Sequence, residues 1–258
     1  VLSVVLPSPK PVQPRGIYDR TTRGIRIYLS TPRLRGLLAI NLAVAMAGAL
    51  IIVNTVVYVQ ASFGLGQQST ALALAAFGAG SMASALALPR MLEHLSDRTT
   101  MLAGAALLGV GTLAASALPS FGLMLPLWFV IGIGYSSAQT PSGRLLRRSA
   151  HPEDRPALFA AQFALSHACW LVAYPLAGWG GAVLGLAATA ALLAIGAAAA
   201  VLLARSLWPA DDTETVAHVH ADLPSHHPHL AGSHDGGRHA HPFVIDDLHP
   251  RWPARHSP

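Results

Sequence analysis

GLLAINLAVAMAGALIIVNTVVYVQASFGLGQQSTALALAAFGAGSMASALALP, residues 36–89, holds no Asp, Glu, Lys or Arg over its 54 positions. Residues 99–143 and 156–204 are equally free of charge. A charge at the centre of a bilayer costs roughly 2.5–3.5 kcal/mol, whereas each Leu, Ile, Phe or Val returns about 0.3–0.6. Runs this clean are membrane spans rather than the core of a water-soluble domain. About 20 apolar residues cross the hydrocarbon as a helix, so each run has room for two helices and a turn. Gly, Pro, Ser and Gln gather at residues 61–69, 119–122 and 178–181, which places the turns there. The reading is an all-α membrane protein, a six-transmembrane-helix bundle with spans near 36–59, 70–89, 101–118, 122–140, 157–177 and 182–204.

Composition agrees. The chain is 52% hydrophobic and 11% charged, against roughly 25% charged in soluble domains. Its net charge of +5 does not point to nucleic acid, because the basic residues sit beside apolar spans rather than on an aromatic-studded polar surface. All 17 Lys and Arg fall before the first span, after the last, or in the two even-numbered loops, and the three opposite loops hold none. The positive-inside rule then puts both termini in the cytoplasm of a cell whose inner membrane holds the protein. Residues 1–35 are a basic cytoplasmic lead, 36–207 the six-helix domain, and 208–258 a His-rich tail. The tail lacks any sustained apolar period, so it reads as disordered. The lone Cys169 excludes an internal disulfide. The chain opens on Val1, and the reading is of a piece of a longer protein.

Polar residues inside the spans are few. Asn41 and Asn54 in the first span and Gln162, Ser166 and His167 in the fifth are the candidates for a transport pathway. Intramembrane polar groups tend to be functional, though each can equally serve as an interhelical hydrogen bond. His167 is the one side chain well inside a span that titrates near neutral pH, which suits a proton- or cation-linked role. Asp97, Arg98 and Arg144 sit in the even loops, either as solvated topology charge or as ion pairs that close a gate. Gly78, Gly80, Gly104, Gly109, Gly111, Gly132 and Gly134 fit close helix packing. Ten of 13 histidines lie in the tail. Among them His218, His220, His226, His227, His229, His239 and His241 are spaced so that neighbouring rings can reach one Ni²⁺, Co²⁺ or Zn²⁺ ion. No Cys accompanies them, so a closed structural zinc site is not implied and no cofactor is required. No nucleophile–base pair, phosphate loop or cofactor fingerprint is present in suitable context, so no enzyme is expected.

Several segments carry a family resemblance. YLSTPRLRGLL, residues 28–38, leads into a span with Asn54, Thr55 and Val56, and resembles the approach and seventh helix of a bacterial major facilitator superfamily transporter. FGAGS at 77–81, TPSGRLLRR at 140–148 and residues 163–178 resemble it too, so that the similarity covers about residues 24–206. The family's loop motif survives as Asp97-Arg98, with Glu93 and Thr100 at its glycine positions and Met101-Leu102 in place of its basic pair. The resemblance implies the C-terminal six-helix half of a twelve-helix exporter, working by alternating access with a second half from another chain, a homodimer or missing sequence. The tail is similar in composition to that of nickel- and cobalt-resistance members. The implied function is proton-coupled efflux of a small solute or a divalent metal such as nickel or cobalt. The alternative is a truncated, non-transporting remnant whose tail binds metal.

Overall fold

Thr31 interrupts the chain between two helices: its backbone is extended, and Pro32, lacking an N–H, opens the next helix where no donor is needed. In the computed structural model, which describes residues 16–213, 215–219 and 238–253, this break separates α1 (Ile17–Ser30) from α2 (Pro32–Ala49). The remaining helices are α3 (Gln67–His94), α4 (Asp97–Ala115), α5 (Phe121–Gln139), the short α6 (Ser142–Arg148), α7 (Arg155–Val183) and α8 (Leu186–Leu207). Six segments are long and apolar enough to cross a membrane, as the sequence predicts.

The axis of α2 continues past Ala49 through two wider, π-type stretches at Leu50–Asn54 and Val57–Ser62. This is the central helix. Its span is 78% buried, against 17% for α7, because α4, α7 and α8 all pack on it. α5 lies between α3 and α4, and α8 also packs on α4 and α7. Gly80, Gly104, Gly132 and Gly134 work as the sequence suggests, by letting backbones approach, whereas Gly78 meets nothing within 4 Å. A Cβ on Gly80 would collide with the Phe129 carbonyl, and one on Gly132 with the Phe77 carbonyl, so α3 and α5 touch backbone to backbone. Gly104 and Gly134 perform the same service between α4 and α5.

Two expectations need correction. The third turn is not at residues 178–181. α7 runs through them to Val183, and the chain reverses at Leu184 and Gly185, whose φ of 80° suits glycine. Gly180 and Gly181 are packing positions: a Cβ there would press on Thr189 Oγ1 at 3.0 Å and Asn54 Nδ2 at 2.6 Å. The second correction concerns the tail. Among its described residues, β1 (Thr215–Val219) pairs antiparallel with β2 (Arg238–Pro242), setting Ala217 opposite Ala240. Phe243, Val244 and Ile245, a run too short to register in a compositional average, are then buried.

The tail is held at the basic end of the bundle by charge. Arg33, only 1% exposed, donates to Asp212 at 3.2 Å and to the Phe243 carbonyl at 3.4 Å, and lies over the Trp252 ring. Arg148 donates to the other oxygen of Asp212 at 2.7 Å, which also accepts from Trp208 Nε1. α1 is tied to the same end: Arg23 forks onto Asp154 at 2.5 and 2.8 Å and reaches Asp247 at 2.7 Å. The hydrogen bond that Arg23 donates to Asp154 raises the Arg23 pKa still further against the opposing effect of burial, so the guanidinium stays charged.

Candidate functional site

The sequence candidates on α2 and α7 fall into two groups. Gln162 Oε1 accepts from Tyr28 OH at 2.5 Å and from Asn41 Nδ2 at 3.4 Å, a node joining α1, α2 and α7. Burial pushes the Tyr28 phenol well above its ordinary value, so it remains a donor. Asn54 does not join this node. Its Nδ2 donates to the Ala177 carbonyl at 3.2 Å, fifteen residues or about 22 Å along α7 from Gln162. Because a carbonyl only accepts, that bond fixes which end of the Asn54 amide is which. Both Asn41 and Asn54 are 2% exposed, and neither Oδ1 meets a donor among the described residues. A buried acceptor left in this way costs about 1–3 kcal/mol.

The widened turn of α2 positions this second group. π-type turns inside helices are frequent at functional sites because they rotate the following side chains out of α register. Here Thr55 Oγ1 donates to the Ile51 carbonyl at 2.6 Å and accepts from the fully buried Trp128 Nε1 at 2.9 Å. Tyr58 OH donates to the Ala115 carbonyl at 2.9 Å. Tyr28, Thr55 and Trp128 were not legible as site residues, since each is an ordinary residue until a distant partner meets it.

Ser166 and His167 point elsewhere. Both bond back to the Phe163 carbonyl, at 3.0 Å from Ser166 Oγ and 2.7 Å from His167 Nδ1. Nδ1 therefore carries the proton, and Nε2 is the lone-pair nitrogen of the neutral ring. The imidazole leans on Phe163 with centroids 4.0 Å apart, and the side chain is exposed near the middle of α7.

The three loop candidates are all engaged, with two different partners. Ser96 caps α4, its Oγ accepting from the Thr99 N–H at 3.1 Å, which places Asp97 in the first turn. Asp97 Oδ1 accepts from Arg144 Nη2 at 2.5 Å and Nε at 3.1 Å, joining α4 to α6. Arg98 turns the other way, donating to the Trp208 carbonyl at 2.9 Å and the Arg205 carbonyl at 3.2 Å at the end of α8. These are inter-helix links in which Asp97 is buried and Arg144 is half exposed. Beside them Arg35, Arg98, Arg205 and Arg251 line a cleft of about 1080 Å³. The basic residues thus gather at one end of the bundle.

Of the histidine candidates, His220, His226, His227 and His229 lie outside the described residues, and His239 is seen through its backbone pairing with His218. His218 and His241 converge with His249, which spacing alone did not single out. Asp246 underlies the group. Burial would raise its pKa, but the His249 backbone N–H, the His249 ring and His151 together hold it below the usual carboxylate range.

Comparison with protein families places a match to the Major Facilitator Superfamily over residues 37–241, most of the chain, with five spans whole and most of the first. Among curated proteins no match is found.

Proposed function

The chain belongs to the Major Facilitator Superfamily, and from that premise we propose that it is one six-helix half of an exporter that moves a small solute or a divalent metal ion such as Ni²⁺ or Co²⁺. It is a multi-pass membrane transporter with six apolar helices. In the proposed mechanism a second six-helix half rocks against this one about a site near the midplane. Both termini face the cytoplasm from the inner membrane, following the distribution of Lys and Arg.

One observation carries the reading. His167 sits near the middle of a span, exposed, on the helix with the least protein around it. Ionisable groups at that depth almost always face a bundle interior or a water-filled cavity rather than lipid. We therefore assign the His167 face of α7 to the interface with the second half, where Nε2 takes up and releases the coupling proton. The Gln162–Asn41 node and the unmet oxygens of Asn41 and Asn54 are the positions from which polar cargo would be bound. Asp97–Arg144 and Arg98 with the α8 carboxyl end would close the cytoplasmic gate, breaking when the loops separate.

The test is uptake of labelled Ni²⁺ or Co²⁺ into everted vesicles that contain this chain alone or together with a second six-helix half. Transport is expected only from a pair of halves, whether the second is a separate chain or a second copy of this one, dependent on a pH gradient, with His167→Ala abolishing the gradient dependence. Full transport by this chain as a monomer, or unaltered gradient coupling in His167→Ala, overturns the reading. Metal tolerance unchanged by an intact pair of halves excludes metal as cargo and leaves small solutes.

A further inference from the structure

We propose that His218, His241 and His249 form a binding site for one divalent first-row transition ion, built where the C-terminal segment meets the helical bundle. The inference is independent of the transport reading, since it rests on the tail's own geometry.

The ligand atoms of the three residues lie within 4.8 Å of one another. Their ring centroids are 4.8, 4.9 and 5.1 Å apart. Imidazoles bound tetrahedrally through nitrogens about 2.0–2.1 Å from an ion would have centroids roughly 5 Å apart. The tautomers are set for it. His249 Nδ1 lies 2.8 Å from the Asp246 carboxylate, His218 Nδ1 lies 3.0 Å from the Val216 carbonyl, and His241 Nδ1 lies 2.9 Å from the Pro242 carbonyl. Each partner can only accept, so each Nδ1 carries a proton, which leaves Nε2 as the nitrogen that can ligate an ion. This is how metal-bound histidines are held: the far nitrogen donates to a carboxylate or carbonyl, which orients the ring and strengthens the ligand.

The near sides then meet. His218 Nε2 and His249 Nε2 are 3.0 Å apart, within hydrogen-bond distance. Such a contact is repulsive unless a proton or a cation stands between them, and two ligands of one ion sit at nearly this separation. The frame around the pair is firm. Asp246 Oδ1 also accepts the Leu248 and His249 backbone N–H groups at 2.9 and 2.7 Å, and Asp246 Oδ2 lies 3.2 Å from His151 Nε2 ahead of α7. Phe243 packs at 4.8–5.0 Å from His249 and His218, giving the site an apolar wall. Imidazole nitrogens suit Zn²⁺, Ni²⁺, Co²⁺ and Cu²⁺, and the three-ligand set leaves a fourth position for water or a further side chain.

Zn²⁺ is the probe. The purified metal-free chain in detergent is titrated by calorimetry, and the tightest site is followed. His249→Ala and His218→Ala, 31 residues apart, should each remove that site. Asp246→Asn, which leaves all three ligands in place, should weaken it about 10–100-fold. His94→Ala, a control at the end of α3, should leave it at wild-type affinity. His218→Ala and Asp246→Asn decide the matter even if His249→Ala does not fold. Wild-type affinity in His218→Ala or Asp246→Asn, or loss of the tightest site in the control, overturns the proposal.

Discussion

Gln162 is half-buried in a span, and its side chain serves two helices at once through Tyr28 and Asn41. Replacing it by Ala removes the acceptor and leaves Asn41 buried with neither end of its amide bonded. Gln162→Ala should therefore lower stability by about 1–3 kcal/mol, read as a fall in the thermal midpoint in detergent. Tyr28→Phe keeps the Asn41 bond and should cost about 0.5–1.5 kcal/mol. Equal midpoints for both variants and the parent would mean that the node contributes nothing. Arg33 makes the opposite point about buried polarity. Breaking a buried pair by removing one partner costs about 3–5 kcal/mol, because the other charge stays behind. Here Asp212 keeps Arg148 and Trp208 Nε1, so Arg33→Ala should fall below that range while loosening the tail, seen as faster proteolysis after residue 208. Tail cleavage at the parental rate would show that Arg33 does not hold it.

At the scale of helices, contact between α3 and α5 depends on two missing side chains. Gly80→Ala would drive a methyl group into the Phe129 carbonyl, a backbone group that cannot step aside, so the helices must part. The expected loss is about 1–3 kcal/mol. Gly78, two residues earlier on the same helix, meets nothing within 4 Å. Gly78→Ala should be neutral or stabilising by up to about 1 kcal/mol, through the entropy that glycine loses in a helix. The paired thermal midpoints test the packing directly, and similar values for the two would refute it. The same contrast explains how glycines misled the placement of the third turn. A Gly-Gly pair marks a break when the backbone must turn and a contact when a neighbour must approach, and only the neighbour tells which.

For the whole molecule, the arrangement predicts a labelling pattern. In a Cys169→Ser background, single cysteines at Gln67, Phe121 and Leu184 should react with an impermeant thiol reagent from one side of the membrane. Cysteines at Leu95 and Ser142 should react only from the other, together with the tail. Mixed reactivity within either set would dissolve the six-helix topology. That topology was readable from sequence because the cost of placing a segment in lipid is a sum over neighbouring residues, so charge-free windows and one-sided arginines declare themselves without any knowledge of the fold. The number of spans and two of the three turns followed from such local sums, whereas of the glycines expected to pack Gly78 meets nothing within 4 Å. What the sums could not supply is who meets whom. Arg23 and Asp154 are 131 residues apart, Asn41 and Gln162 are 121, and Arg33 and Asp212 are 179. The folding of a short Phe-Val-Ile run against the bundle, the choice of His249 over nearer histidines, and the exposure of His167 all depend on those long-range meetings. Insertion into a membrane is decided residue by residue along the chain, but a site exists only where distant segments have already been packed together.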